Sequence, residues 1–218
     1  MYKIIMTHNR PWTKRELLLF IVLFVLVTSV LVRLFKKKRI VLSQVFAGEL
    51  LFIYIMIVLA STVFTRTSNG MQLCKLVPFW SWLEAASGNR GYLKEIVLNI
   101  ILFLPAGILF PFVWGKKILL RYAFMAGVSF SFVIECSQLI LCRGLFEWDD
   151  IIDNTIGAVT GCIISNYIIK NWEKTKKESW RMMTLILHPL CRTQETVKVE
   201  RGCAAFFRYG EEERLLKN

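Results

Sequence analysis

Residues 96–142 read IVLNIILFLPAGILFPFVWGKKILLRYAFMAGVSFSFVIECSQLILC. This stretch consists of two apolar runs, 96–114 and 118–142, which only 115–117 separate. Each run reaches or approaches the roughly 20 residues that an α-helix needs to cross about 30 Å of hydrocarbon. A connection this short predicts an antiparallel hairpin of two neighbouring transmembrane helices.

Three further apolar runs extend this pattern along the chain, at 17–35, 45–64 and 150–169. The overall composition agrees with it, since 55% of the residues are hydrophobic and the mean hydropathy is +0.49. A soluble domain would interrupt its apolar runs with polar residues every few positions. We therefore predict an all-α, polytopic bundle of about five transmembrane helices.

The third run, 96–114, contains Pro105, Gly107 and Pro111. Proline removes a backbone donor and its ring clashes with the preceding turn. We therefore expect a kinked or broken helix here.

The chain divides by composition into three parts. Residues 1–44 hold the first span and a basic segment after it, 45–170 hold the other four spans, and 171–218 form a polar, basic tail. The tail contains no run long enough for a sixth span. Within it, 196–209 could form a weak hairpin or have no fixed structure, and both alternatives stay open.

Positive charge differs between the two sides that alternating spans define. Nine Lys and Arg residues lie near the spans on the side of the N-terminus, and twelve lie on the other side. Because cytoplasmic segments carry the excess of positive charge, we place the N-terminus outside and the tail in the cytoplasm. The long loop 65–95 then lies outside, with aromatic residues suited to the headgroup level: Phe79, Trp80, Trp82 and Tyr92.

The net charge of +12 would suit a nucleic-acid-binding protein. The basic residues instead follow the ends of the apolar runs and the tail, and no nucleic-acid-binding motif is recognisable, so we predict no nucleic-acid partner. Six cysteines occur without a CxxC pair and with only two histidines. We therefore predict no metal site, no disulfide framework and no cofactor.

Small and polar residues in the fourth span fall on one helical face, at Gly127, Ser131, Glu135, Gln138 and Cys142. Glu135 lies roughly 10 Å below the outer end at 1.5 Å per residue. A charged group at such a depth costs about 2.5–3.5 kcal/mol on insertion scales. We therefore expect Glu135 to face the bundle interior with a partner, or to be protonated.

A matching stripe occupies the fifth span, at Asp150, Asn154, Gly157, Gly161 and Ser165. Asp153 adjoins it. Gly157 and Gly161 form a GxxxG motif, which favours the close approach of another helix.

Polar residues near the ends of consecutive spans fall toward the same membrane face, at Asn99, Glu135, Gln138, Arg143, Asp149, Asp150 and Asn154. One interpretation is a site where Arg143 and an Asp hold a polar substrate while Glu135 carries a proton. The other is a polar clasp that fixes helix ends, in which Asp149 or Asp150 caps the fifth helix. Glu135 and Asp150 are the candidate catalytic residues.

These residues resemble the VanZ-like family of bacterial membrane proteins over 45–170. The matching elements are NIILFLPAG at 99–107, ECSQ at 135–138, Arg143, DDIIDNTIGA at 149–158, Gly161, and VPF at 77–79. Three positions depart from the family's usual pattern. Glu147 stands where Asp is more common, Asp153 where an apolar or amide residue is usual, and Lys75 where an Asn often stands.

The resemblance implies a multi-pass protein of the bacterial cytoplasmic membrane with a role at the cell envelope. The family takes its name from a protein associated with low-level resistance to the glycopeptide teicoplanin. It implies no reaction.

Three hypotheses follow. The first is an envelope protein whose partners are the lipid bilayer and a lipid-linked precursor or glycopeptide-related ligand. The second is an intramembrane enzyme that acts on a lipid-linked precursor, with Glu135 or Asp150 as acid or base and Arg143 on a phosphate. The third is a transporter or flippase, which an intramembrane Glu and a kinked third span would favour.

Overall fold

The computed structural model describes residues 11–68 and 70–192. Within these residues the chain forms helices α1 (Lys14–Lys36), α2 (Leu42–Leu59), α3 (Trp80–Ala86), α4 (Arg90–Trp114), α5 (Leu120–Ile140) and α6 (Trp148–Arg192), with strands β1 (Leu73–Lys75) and β2 (Leu145–Glu147). The predicted all-α bundle is confirmed. The alternatives for 196–209 lie outside the described residues.

Four helices of the described chain are long and apolar enough to cross a membrane: α1, Leu42–Phe64, α4 and α5. The segment predicted as a fifth span is the first part of α6. Its apolar run is interrupted on the inner face by Asp150, Asp153, Asn154 and Asn166. The protein can therefore shield these polar groups from lipid only by packing α6 against other helices.

The first part of α6 packs along both α4 and α5. Glycines permit the closest approach, because a Cβ atom at Gly157 would overlap the carbonyl group of Ile100 and one at Gly161 would overlap that of Leu104. Both carbonyls belong to α4. The GxxxG motif thus brings the backbones of α4 and α6 together.

The three-residue connection predicted that the third and fourth spans, now α4 and α5, are close neighbours. They touch where the ring centroids of Phe103 and Phe130 lie 5.5 Å apart. Elsewhere α6 lies between them and is the main partner of each. The predicted hairpin of neighbouring helices is therefore present, but α6, whose small residues pack closely, makes the larger contact with each of its helices.

Of the two alternatives for the third span, a kinked or a broken helix, the structure excludes the broken one. Helix α4 runs without interruption from Arg90 to Trp114, with Pro105 and Pro111 inside it. The hydroxyl of Tyr54 in α2 donates to the carbonyl oxygen of Leu102 at 2.7 Å. Such side-chain donors help a proline-containing membrane helix to remain continuous.

Contacts between helix ends show that successive helices run in alternating directions. At one end, Gln44 Nε2 donates to the carbonyl oxygen of Val113 at 3.2 Å, and Asn166 Nδ2 donates to that of Ile118 at 2.9 Å. At the other end, β1 pairs with β2 in parallel. The loops predicted to share a side are therefore together in space.

Helix α1 lies at the periphery of the bundle. It begins with a capping box between Thr13 and Glu16, and none of its residues is buried. Its main contact is with α2, where the rings of Phe20, Phe24 and Phe52 cluster. The buried core lies among the other helices and contains Val58, Val63, Phe103, Ile134 and Ala158.

The tail predicted to begin near residue 171 starts as helix. Helix α6 passes through the change in composition and continues to Arg192. Its second half exposes basic and apolar residues together, including Lys170, Trp172 and Lys174.

Candidate functional site

The polar residues predicted from the sequence gather at one end of the bundle, beside the sheet of β1 and β2. The end of α2 forms part of this site, because it widens into a π-helical turn over Ala60–Phe64. In such a turn an N–H reaches the carbonyl five residues back, as Thr65 N does to Ala60 at 2.9 Å. The wider turn leaves carbonyl oxygens near its end for side chains to bind.

Gln138 and Arg143 use those carbonyl oxygens. Gln138 Nε2 donates to the carbonyl of Thr62 at 3.1 Å, and Arg143 Nη1 donates to that of Val63 at 3.3 Å. The backbone N–H of Arg143 also donates to the carbonyl of Gln138 at 2.8 Å. These two residues join the end of α5 to the end of α2, and Arg143 forms no ion pair with a carboxylate among the described residues.

Glu135 is 1% exposed and lies on the face of α5 that points into the bundle. Its Oε2 accepts a hydrogen bond from the backbone N–H of Glu147 at 3.1 Å. The chain returns to place this donor through a tight turn in which Cys142 has a φ of 51°. A buried carboxylate is therefore held by one neutral donor, without an ion pair in the described part of the chain.

Asp150 lies in the first turn of α6 and joins three helices. Asn99 Nδ2 of α4 donates to its Oδ1 at 2.7 Å. Ser131 of α5 donates to the backbone carbonyl of Asp150 at 3.5 Å and accepts from Asn154 Nδ2 at 2.8 Å. The Oδ1 of Asn154 is buried and has no hydrogen-bond partner among the described residues. The network therefore retains an unused acceptor.

Arg66 is the cation that sequence reasoning missed at this site. Its charge acts on both Glu135 and Asp150, and its Nη1 lies close to Gly144. From the sequence, Arg66 was only one of the basic residues that indicate topology and was not part of the predicted polar cluster. Its place as the first charged residue after the second span was a signal that could have identified it.

Asp149 and Asp153 fasten the short helix α3 to α6. The carboxylate of Asp149 accepts from the backbone N–H groups of Phe79 at 2.5 Å and Ser81 at 2.6 Å, and Asp153 Oδ1 accepts from Trp82 Nε1 at 3.0 Å. Asp149 therefore caps α3, and this differs from the sequence interpretation in which it caps its own helix. Negative charge at a helix N-terminus is favourable.

Glu147 lies at the outer edge of the site, on β2. Its Oε1 is 3.8 Å from Lys75 Nζ, and Lys75 faces it in the parallel pairing. Burial raises the pKa of Glu147, which the charge of Lys75 opposes and the charges of Glu95 and Asp149 reinforce. Its carboxyl group therefore keeps its proton to higher pH than an exposed glutamate does.

Glu49 is a second residue that sequence reasoning missed. It lies in α2, near the end remote from this cluster, and both carboxylate oxygens are buried without a hydrogen-bond partner among the described residues. It stands alone in an apolar run, with no polar stripe to draw attention to it.

The structure thus joins Asn99, Asp150 and Asn154 in one network and brings Glu135 beside it through Glu147 and Arg66. We call Glu135, Asp150, Asn99, Asn154 and Arg66 the outer polar site, because the charge distribution of the sequence predicts that this end of the bundle lies outside. The buried carboxylate of Glu135, the partly buried one of Asp150 and one cation can bind a polar group and exchange protons with it. No group of three or more His, Cys, Asp or Glu side chains in the described ranges could hold a metal ion.

Comparison with known proteins identifies one family. The family model described as VanZ/LLP1 matches residues 46–170 of the chain. This range begins inside α2, ends in α6 and contains the whole outer polar site. Neither the curated proteins nor the solved structures gave a match.

Proposed function

Because the chain belongs to the VanZ/LLP1 family, we propose that it is a multi-pass protein of the bacterial cytoplasmic membrane that modifies the outer envelope or the access of glycopeptides to it. The proposal places the N-terminus and the loops 65–89 and 141–147 outside, and the end of α6 in the cytoplasm. The excess of Lys and Arg on the side of the tail supports this orientation.

The burial of Glu135 is the observation that carries the proposal. A side chain that is 1% exposed, with one backbone donor, gives little stability in return for removing its carboxylate from water. Ionisable residues at such positions in membrane proteins generally mark functional sites.

The proposed ligand is the polar part of a lipid-linked envelope precursor. Arg66 supplies positive charge for an anionic group, and Asn154 Oδ1 is an acceptor free for a donor of the ligand. The helices around the site would let a lipid chain remain in the bilayer while its polar part reaches Asp150. In this way the protein would change how much precursor a glycopeptide meets.

The test compares Glu135→Gln and Glu135→Ala with the wild type in teicoplanin sensitivity. Glutamine keeps the size and an acceptor for the Glu147 N–H, so folding should survive while proton exchange and negative charge are lost. We expect Glu135→Gln to reach wild-type levels and melting temperature in detergent, and to lose the resistance phenotype. Glu178→Gln is the matched control, since Glu178 is exposed on the far part of α6.

Full resistance in Glu135→Gln, together with misfolding of Glu135→Ala, would leave Glu135 a purely structural role. The proposed function would then fail. Unchanged teicoplanin sensitivity on deletion of the whole gene would reject the glycopeptide part and leave the envelope part to be measured by precursor analysis.

A second candidate is catalysis on the same precursor. The proximity of two carboxylates, Glu135 and Asp150, to Arg66 favours it, since the pair could act as acid and base. Arg66, and not Arg143 as first expected, would then hold the phosphate of the substrate. Turnover of a labelled polyprenyl-linked substrate by purified protein, absent in Asp150→Asn, would distinguish catalysis from binding. For the transporter alternative, the buried Glu135 remains in favour, although α4 is not broken.

A further inference from the structure

The ammonium group of Lys75 lies in a partly buried box on the loop side of the bundle. Its Nζ is 5.2 Å from the ring centroid of Trp80, 4.9 Å from that of Tyr92 and 3.8 Å from Glu147 Oε1. We call Trp80, Tyr92 and Glu147 the cation cage. The Lys75 side chain is 26% exposed and that of Glu147 is 18% exposed, so the ammonium has lost much of its water.

The walls of the cation cage are fixed by groups other than the Lys75 side chain. Trp80 begins α3, whose N-terminus Asp149 holds. Tyr92 lies in the first turn of α4, which Asn89 caps. Glu147 is held through its backbone N–H on Glu135. Because each wall has its own anchor, the cage should persist when the lysine ammonium leaves it.

The chemistry of the cage selects a compact cation. The faces of aromatic rings attract an ammonium group, and the attraction grows as water is removed. Glu147 adds a carboxylate, and Glu95 and Asp149 act on that carboxylate as further negative charges. An anionic group would be repelled here. The hydrogens of a primary ammonium also suit the carboxylate oxygen that Lys75 now faces.

The surroundings indicate where such a cation would come from. Apolar side chains near the cage are strongly exposed, with Leu76 at 59%, Val77 at 57%, Phe79 at 54% and Leu83 at 65%. Exposed apolar and aromatic side chains beside charged groups are typical of the headgroup level of a bilayer. A lipid headgroup is therefore the nearest source of an ammonium group.

We propose that the cation cage is a binding site for a primary alkylammonium group, supplied by a lipid headgroup of the ethanolamine type, and that Lys75 fills the site until that group replaces it. The inference does not rest on the proposed function, because no wall of the cage belongs to the outer polar site.

The first test restores the ammonium group chemically. The full chain is labelled with 5-fluorotryptophan, the Trp80 signal is identified by its absence in Trp80→Phe, and Lys75→Ala is titrated with n-butylammonium. We expect a saturable shift of the Trp80 signal and a rise in melting temperature. The uncharged 1-butanol should produce neither. Lys75→Met is the matched control, because its side chain fills the cage without a charge.

The second test uses the wild type and separates the two sources of ammonium. Nanodiscs of phosphatidylethanolamine are compared with nanodiscs of phosphatidylglycerol, and ethanolamine is added in solution to the latter. We expect the Trp80 signal in phosphatidylethanolamine to approach that of ligand-saturated Lys75→Ala. Tyr92→Leu should weaken binding of n-butylammonium to Lys75→Ala about tenfold, since one ring face is lost.

Three outcomes would overturn the inference. The first is an equal response of Lys75→Ala to n-butylammonium and 1-butanol. The second is binding by Lys75→Ala while the wild-type Trp80 signal is identical in both lipids, because Lys75 would then never leave. The third is a wild-type response to dissolved ethanolamine with none to the lipid, which would reject the headgroup source. If Lys75→Ala does not fold, the comparison of lipids in the wild type decides alone.

Discussion

Asp149 accepts hydrogen bonds from both the backbone N–H and the hydroxyl of Ser81, at 2.6 and 2.7 Å. The two residues are far apart in sequence, and both are buried. Their contact fixes the long loop onto the start of α6. One carboxylate therefore positions α3 and the aromatic ring of Trp80.

Asp149→Asn should release α3. The amide nitrogen would face N–H groups that now donate to a carboxylate oxygen, and charge-assisted bonds would be lost. We expect a loss of about 2–4 kcal/mol, since buried donors are left without an acceptor. The measurement is the melting temperature in detergent together with protease cleavage between residues 76 and 88. Glu84→Gln, on the same short helix, should change neither, and an unaltered cleavage rate in Asp149→Asn would contradict the role of the cap.

Gly161→Leu should separate α6 from α4. Any Cβ atom at Gly161 meets the backbone of Leu104, and backbone cannot move aside as a side chain can. We expect a cost of about 1–3 kcal/mol or more from overpacking, seen as less folded protein after purification. Ala126→Leu on the exposed face of α5 is the control of equal chemistry. Normal yield and melting temperature in Gly161→Leu would show that close contact between α4 and α6 does not contribute to stability.

The orientation in the membrane should follow the charge distribution. A cysteine introduced at Glu147, in a background without the natural cysteines, should react with an impermeant maleimide in intact cells. A cysteine at Glu178 should react only after permeabilisation, because the proposed cytoplasmic side carries more Lys and Arg. The reverse pattern of labelling would overturn the topology.

Glu147 should make stability depend on pH with a definite sign. Its folded-state pKa is raised, so the folded chain binds its proton more tightly than the unfolded chain does. Stability should therefore decrease as the pH rises from the ordinary carboxyl range through the raised folded value. Glu147→Gln should remove this part of the decrease, so the two melting temperatures should diverge as pH rises, with the variant higher. If the wild type instead gained stability relative to Glu147→Gln as the pH rises, the ion pair with Lys75 would outweigh the effect of burial.

Much of the bundle could be predicted because its signals are local. A continuous apolar run such as 17–35 needs no partner to identify it as a span, and the one-sided polar stripe of α5 indicates which face is buried. The pairing of α4 with α6 was not accessible in this way. It depends on the carbonyl groups of Ile100 and Leu104 meeting glycines, and backbone atoms carry no sequence signal.

The site shows the same limit. The sequence brought Asn99, Glu135 and Asp150 to one membrane face, since each lies near the end of a span. Arg143 was predicted to supply the positive charge of the site, because it is the basic residue nearest to Glu135 along the chain. In the folded protein, Arg143 donates to a carbonyl oxygen of the π-helical turn. Arg66, which follows this turn in sequence, supplies the positive charge that acts on Glu135. A π-helical turn produces no hydrophobic periodicity, so it could not be predicted from the sequence.

Helix α6 spans Trp148–Arg192 as one uninterrupted rod. At 1.5 Å per residue it is roughly 65 Å long, about twice the hydrocarbon thickness. Its first turns hold Asp149, Asp150 and Asp153, whereas Lys174, Lys177 and Arg181 lie in its second half. Because its first half is packed against α4 and α5, the excess length falls to its second half, which must extend well beyond the hydrocarbon with Lys170, Trp172 and Lys174 exposed.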